Sequence, residues 1–451
     1  MMKNPQIRRR DFIHKTAAGA AAITWGIPTL VAAAESEIPA KPAILGGKSA
    51  HTGKFPSWPK IEDNDRKAWK EVLEAKGWFR YDGKYAEEFE KEYAKLTGVK
   101  ECLAVANGTS ALYCALNALG IGPGDEVLVP PYTFVATINV VFLQYALPIF
   151  VDTDPETFQI DAKKLESKIT EKTRCILPVH LGGNPADMDT ILEVAKKHKL
   201  PVVEDACQAH LAEWRGKKVG SLGDLGCFSF QVSKNLCSGE GGAIITNNSE
   251  LMDRCVAFHS NGRERVKDLG PGYHHNGTNL RMTEFQAALL LQQMTRIEEN
   301  AKIRSRNAEH LSKQLSQIPG IYPEKKYEGA TRNAYHLYML RYDSDKFGGL
   351  SREKFLNALN KEGINGWSGY TPLNKDPFLK NTLYSRGFQA IYSKERIDKY
   401  FQENECPMND KLCGEAVWFS QSMFLGSQSD MDQIAEAFRK IHAHASAIAK
   451  A

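Results

Sequence analysis

Three short stretches of the chain place reactive side chains at spacings that suit one kind of chemistry. Asn107-Gly108-Thr109-Ser110-Ala111-Leu112 reads as a small-residue turn opening a helix. The free N–H groups of a helix N-terminus attract anions, and the Thr109 and Ser110 hydroxyls add donors. A plain helix cap is the competing reading. Val202-Val203-Glu204-Asp205-Ala206-Cys207-Gln208-Ala209-His210 ends a strand on a carboxylate. Such a carboxylate can pair with a protonated ring nitrogen, or simply face solvent. The segment from Gly226 to Ala243 runs an apolar strand into Ser233-Lys234-Asn235 and then a Gly-rich turn. A lysine among apolar groups has a lowered pKa and can act as an amine nucleophile, although a lone lysine is more often a surface charge. The order of the three decides between these readings. An anion turn, a ring-nitrogen carboxylate and a Schiff-base lysine are the grips that pyridoxal phosphate requires.

These side chains need strand ends to stand on. Helical patterning covers 63–75, 109–119 and 189–198, and strand patterning covers 101–106, 126–129, 148–151, 175–179 and 201–203. Alternation of this kind predicts an α/β domain with a mainly parallel sheet, whose ligands bind at the C-terminal ends of the strands. The apolar period over 283–315 predicts one long helix leading to a second part. That part holds a strand at 334–341 and helices at 352–362 and 431–443. The expected organisation is a leader at 1–34, an arm at 35–60, a large domain at 61–300 and a small domain at 301–451.

The chain has 451 residues, of which 42% are apolar and 25% charged, as in soluble globular proteins. Its formal charge of +4 is confined to the leader, where Lys3, Arg8, Arg9, Arg10 and Lys15 face Asp11 alone. The remainder is neutral, which argues against a nucleic-acid surface. Arg9-Arg10-Asp11-Phe12-Ile13, a charge-free run from Thr16 to Ala34 and the small-residue ending Val31-Ala32-Ala33-Ala34 resemble a twin-arginine export signal. The usual lysine is displaced to Lys15. An uncleaved membrane anchor is the alternative, but Ala and Gly make the run weakly hydrophobic. The expected location is therefore periplasmic or secreted. The nine cysteines show no metal spacing, and no metal site is expected. Cys406 and Cys413 are near enough in sequence to pair in an oxidising compartment.

Five ordered motifs resemble the DegT/DnrJ/StrS family of sugar aminotransferases. They are Pro130-Pro131-Tyr132-Thr133-Phe134-Val135-Ala136-Thr137, Pro178 to Asp189, Glu204 to His210, Ser229 to Gly242, and Gly277-Thr278-Asn279-Leu280-Arg281-Met282-Thr283-Glu284. The resemblance implies a fold-type-I pyridoxal-phosphate transferase, with a mainly parallel seven-stranded sheet and a smaller α+β C-terminal domain. It implies Lys234 as Schiff-base and proton-transfer residue, Asp205 as partner of the pyridine nitrogen, and Phe134 stacked on the ring. Gln208 would lie beside the ring, and Gly108, Thr109, Ser110 and Ser229 would hold the phosphate. Asn279 would reach the neighbouring subunit's phosphate in a homodimer with shared sites. A dehydratase branch of the family carries His where Lys234 stands, so the lysine favours transamination.

The resemblance also implies glutamate or glutamine as donor and a keto-sugar as acceptor. The stretches Phe55-Pro56-Ser57-Trp58-Pro59 and Cys406 to Asp410, with Val417-Trp418-Phe419, look like the branch acting on keto-cyclitols or making aminohydroxybenzoate. Trp78, Tyr81, Tyr370, Trp418 and Phe419 could line the acceptor pocket or belong to the core. Export disfavours a nucleotide-linked keto-sugar, which is cytoplasmic. An exported non-catalytic binding protein on the same scaffold is the reading from another class.

Overall fold

The computed structural model describes residues 39–265 and 273–451, so the expected leader and residues 35–38 lie outside the described residues. Seven strands form the central layer: β1 (Glu101–Val105), β2 (Glu126–Val129), β3 (Leu147–Phe150), β4 (Thr173–Ile176), β5 (Val203–Asp205), β6 (Leu225–Ser229) and β7 (Gly242–Thr246). Their order is β1-β7-β6-β5-β4-β2-β3, with β5 joined to β4 by the parallel bridges Ile176↔Val202 and Val179↔Asp205. Only β7 runs antiparallel to the rest. β2, β3, β6 and β7 are buried along their whole length, as expected when helices cover both faces of a sheet. The sheet is thus the mainly parallel one that the alternating pattern predicts. The antiparallel β7 was not anticipated, because its apolar run reads the same in either direction.

The helix expected over 283–315 is two helices, Glu284–Met294 and Ile297–Leu315. The break follows from side chains rather than from helix propensity. Thr295 Oγ1 donates to the Gln292 carbonyl at 2.7 Å, and Arg296 turns its guanidinium onto the Lys60 carbonyl and the buried Asp65 carboxylate. Helix Asp63–Ala75 packs against the first of the two, as does Tyr85–Thr97, whose first N–H groups are taken by Glu284.

Beyond residue 315 a three-stranded antiparallel sheet forms from β8 (Ile321–Pro323), β9 (Leu337–Tyr342) and β10 (Ala416–Ser420). Helices Arg352–Lys361 and Gln428–Ala443 cover it, giving a second apolar core around Tyr338, Phe355, Phe419 and Phe438. Residues Leu373 to Cys406 pack with the first core instead.

Candidate active site

A cavity of about 650 Å³ opens where β5, β6 and the start of helix Gly108–Ala118 meet. This is the C-terminal edge of the parallel strands, where α/β sheets bind ligands. Successive strand residues point to opposite faces, and that alternation divides the labour of Glu204 and Asp205. Glu204 faces away, fully buried, and accepts from the N–H groups of Gly220, Leu222 and Gly223 at 2.6–2.7 Å and bonds His180 Nε2 at 2.9 Å. Asp205 faces the cavity. Its Oδ2 accepts from Thr137 Oγ1 at 2.9 Å and its Oδ1 from the Cys207 N–H at 3.2 Å. Two neutral donors fix this carboxylate and leave it free to take a third.

Lys234 stands in the same cavity on the loop between β6 and β7, its N–H bonded to the Gln231 carbonyl at 2.8 Å. Burial pushes its pKa down, against the opposing pull of Cys207 and Asp205. Burial also pushes the Cys207 thiol well up, so this wall is neutral. The result is a lysine whose uncharged amine is more accessible than usual, near a carboxylate held by hydrogen bonds.

At the other end of the cavity Asn107 caps the helix, its Oδ1 accepting from the Ser110 N–H at 2.8 Å. The N–H groups of Gly108 and Thr109 have no acceptor among the described residues. A Cβ on Gly108 would sit 2.7 Å from Ser229 Cβ and 2.8 Å from Cys207 Sγ, so only glycine lets this turn approach so closely. Free N–H groups with the Thr109 and Ser229 hydroxyls make a donor set that suits a phosphate. Phe134 overhangs the cavity with 55% of its surface exposed. Anion cradle, flat apolar face, carboxylate and amine together fit pyridoxal phosphate.

Of the sequence-predicted residues, Gly108, Thr109, Phe134, Asp205, Gln208, Ser229 and Lys234 converge on this cavity. Ser110 does not line it; it is buried, and its N–H donates to the Asn107 cap. Asn279 is exposed and away from the cavity of its own chain, its Oδ1 accepting from the Arg281 N–H at 3.3 Å. Gln208 is locked by the Gly182 N–H at 2.8 Å and donates to the Tyr370 hydroxyl at 3.2 Å. Among the acceptor candidates only Tyr370 and Trp418 line the cavity, their rings edge to face at 4.6 Å. Phe419 points to the other side of β10, into the second core. Trp78 packs on Phe285, and Tyr81 bonds Ser260 Oγ at 3.2 Å, both outside this cavity.

Thr137 and His336 are among the cavity residues to which the sequence reading gives no role. Thr137 closes the Phe134 motif, and its spacing gives no sign that it bonds Asp205. His336 lines the cavity, bonds Asn235 Oδ1 at 3.3 Å and is held neutral chiefly by burial. No pattern around it in the sequence marks it out. Cys406 and Cys413 are both free thiols.

The sequence profile of the DegT/DnrJ/EryC1/StrS aminotransferase family matches residues 59–438. The chain is 34% identical over 422 residues to the L-glutamine:2-deoxy-scyllo-inosose aminotransferase of Streptoalloteichus tenebrarius, covering 90% of this chain and 99% of that protein. It is 34% identical over 413 residues to the L-glutamine:scyllo-inosose aminotransferase of Streptomyces griseus, covering 88% and 97%. The crystal structure of 3-amino-5-hydroxybenzoic acid synthase superposes with a TM-score of 0.77 at 30% identity, covering 89% of this chain and all of that one.

Proposed function

Because the chain belongs to the DegT/DnrJ/EryC1/StrS aminotransferase family, a family of pyridoxal-phosphate enzymes, we propose that it moves the amino group of L-glutamine or glutamate to a keto-cyclitol. The observation that carries this reading is the half-buried Lys234, which faces the same cavity as Asp205 and the Gly108 anion turn. The cofactor, when bound, supplies an aldehyde that accepts an amine and a ring that takes up electrons. The chain's own residues do the rest. Lys234 would hold the cofactor through its amine and would serve as the group that moves a proton at the substrate carbon. Asp205, held by Thr137, keeps the ring nitrogen protonated. The turn at Gly108 and Thr109, with Ser229, anchors the phosphate. Phe134 would offer its flat apolar face to the cofactor ring. Tyr370 and Trp418 present flat apolar surface and polar tips, which suits a polyhydroxylated ring.

Two further parts of the reading concern assembly and place. The exposed aromatics Trp69, Trp78, Phe79 and Tyr81, with Asn279 outside its own chain's cavity, support a homodimer in which a partner completes each site. The paired arginines and small-residue run of 1–34 support twin-arginine export and a periplasmic or secreted enzyme, which would meet a free keto-cyclitol rather than a nucleotide-linked sugar. A half-reaction assay tests the chemistry. Protein loaded with pyridoxal phosphate should convert it to the amine form with L-glutamine or glutamate, and recover the aldehyde form with scyllo-inosose. No conversion with either donor would leave a binding protein; recovery only with a nucleotide-linked keto-sugar would overturn the acceptor.

A further inference from the structure

Arg304, on helix Ile297–Leu315, is fully buried, and no carboxylate pairs with it among the described residues. Its Nε, at 2.9 Å, and its Nη2 both donate to the single side-chain oxygen of Gln421, while Nη1 is buried with no acceptor. Burial pushes its pKa down to about 9, so it remains charged at neutral pH. A desolvated charge with one neutral acceptor is costly unless something else faces it. What faces it is the ring of Trp58, its centroid 5.3 Å from the guanidinium carbon, a cation–π distance.

The same indole has a second contact. Its N–H donates to the Val232 carbonyl at 2.8 Å. Val232 lies two residues before Lys234, on a loop closed by the Val232 N–H to the Gly239 carbonyl at 2.9 Å. The Val232 side chain is 41% exposed, so packing does not hold the loop at this point. Upstream of Trp58 the arm is tied to the C-terminal core. The N–H groups of Ala43 and Ala50 donate to the buried Glu362, Lys440 donates to Glu362 and to the Lys48 carbonyl, and His51 bonds Asp430 at 3.2 Å. Downstream, the Lys60 carbonyl accepts from Arg296 at 3.0 Å, so Trp58 lies in a strap fixed on both sides of it.

We propose that Trp58 is a positioning residue for Lys234: steadied by the buried Arg304, its indole N–H fixes the loop that carries the cofactor-binding lysine. This rests on the reading that Lys234 holds the cofactor. The fixed loop keeps water from the Lys234 amine, whose other neighbours are Asp205, Cys207, His210 and His336. Capture of the cofactor needs the neutral amine: Nζ bonds to the aldehyde carbon and one water leaves.

Trp58→Phe keeps the aromatic face over Arg304 and removes the N–H, and Trp58→Ala removes both. Hydrogen exchange on the unloaded full chain reads the strap directly. In Trp58→Phe, exchange at the amides of Ser233 to Leu236 should rise roughly three- to tenfold, the worth of one hydrogen bond, with residues 43–51 unchanged. The pH midpoint of cofactor capture should move up, as water reaches the amine. Trp58→Ala should show both effects more strongly. Unchanged loop exchange with an unmoved midpoint in Trp58→Phe would overturn the proposal. So would protection lost equally across the arm and the second core, which is the mark of a purely structural tryptophan. Cofactor fixed with borohydride in Lys234→Ala would sink the lysine reading instead, while the exchange data would still decide the strap.

Discussion

At the scale of single residues, the groups with distinctive chemistry were legible and their supports were not. Lys234, Asp205 and the Gly108 turn stand in recognisable local settings: a lysine before a Gly-rich turn, a carboxylate ending a strand, small residues opening a helix. Thr137 is a threonine in a helix sixty-eight residues from Asp205, and only the packing of that helix on β2, β3 and helix Gly108–Ala118 makes it a donor to the carboxylate. The same holds for the buried Thr133 Oγ1, which bonds Thr137 at 2.8 Å and orients it. Thr137→Val keeps the shape and removes the donor. Asp205 then loses one of its two fixing bonds and is held less firmly in its orientation toward the cavity. The half-reaction rate with L-glutamine should fall by about tenfold while the melting temperature moves by only a few degrees. A stopped-flow measurement giving the parent rate would show that Thr137 does not tune Asp205.

At the scale of elements, local pattern identified most helices and parallel strands, and tertiary contacts decided the exceptions. The apolar period continues through Thr295 and Arg296, so the sequence offers no reason to stop the helix there. The stop comes from Thr295 Oγ1, which donates to the Gln292 carbonyl, and from residues more than two hundred positions away. Asp65 is only 2% exposed, and Arg296 reaches it together with Lys60. Gln293 Nε2 also donates to Asp65 Oδ1, at 3.2 Å. The kink thus serves to bury an ion pair that joins helix Asp63–Ala75 to the 284–315 helices. Arg296→Met removes the charge partner and leaves a buried carboxylate with weaker donors. Breaking such a pair costs about 3–5 kcal/mol, far above a surface pair. Urea unfolding should show a loss of that order, largely relieved by adding Asp65→Asn. A loss below about 1 kcal/mol would mean that the pair is solvated and that the break has another cause. Residues 373–406 make a related point. Nothing local in their sequence says that Leu379, Phe388 and Tyr400 pack on the first core rather than on the second, which encloses the strands on either side of them.

At the scale of the whole molecule, two properties follow from what the fold hides. His210 and His259 are buried, and burial is the first cause that lowers each to about 4. Between that value and the ordinary ~6.5 of an unfolded histidine, the unfolded chain binds more protons. Their contribution is fully present above about pH 6.5 and is lost as pH falls toward 4. By pH 5 each ring withdraws about 2 kcal/mol. The urea midpoint should therefore drop steeply between pH 6.5 and 5, and His210→Gln should flatten that drop; a midpoint constant to pH 5 would refute the burial argument. The cysteines bear on the proposed export. All nine are free, seven are buried, and only Cys102 and Cys207 are partly accessible. Burial raises the thiols of Cys102, Cys114, Cys207 and Cys227 well above their ordinary value, so folding protects them twice, by exclusion and by keeping them protonated. A chain that entered an oxidising compartment unfolded would expose nine thiolate-capable groups with no native pairing to guide them. One that folded first, with cofactor loaded, would enter with its thiols already shielded, which is what a twin-arginine route permits. Iodoacetamide should therefore label the folded protein at no more than Cys102 and Cys207 within minutes, cofactor should protect Cys207, and urea should release all nine. Replacing residues 1–34 with a leader for an unfolded-export route should yield mispaired, cofactor-free protein on non-reducing gels. Native, fully reduced enzyme recovered from that fusion would show that cysteine burial places no demand on the route.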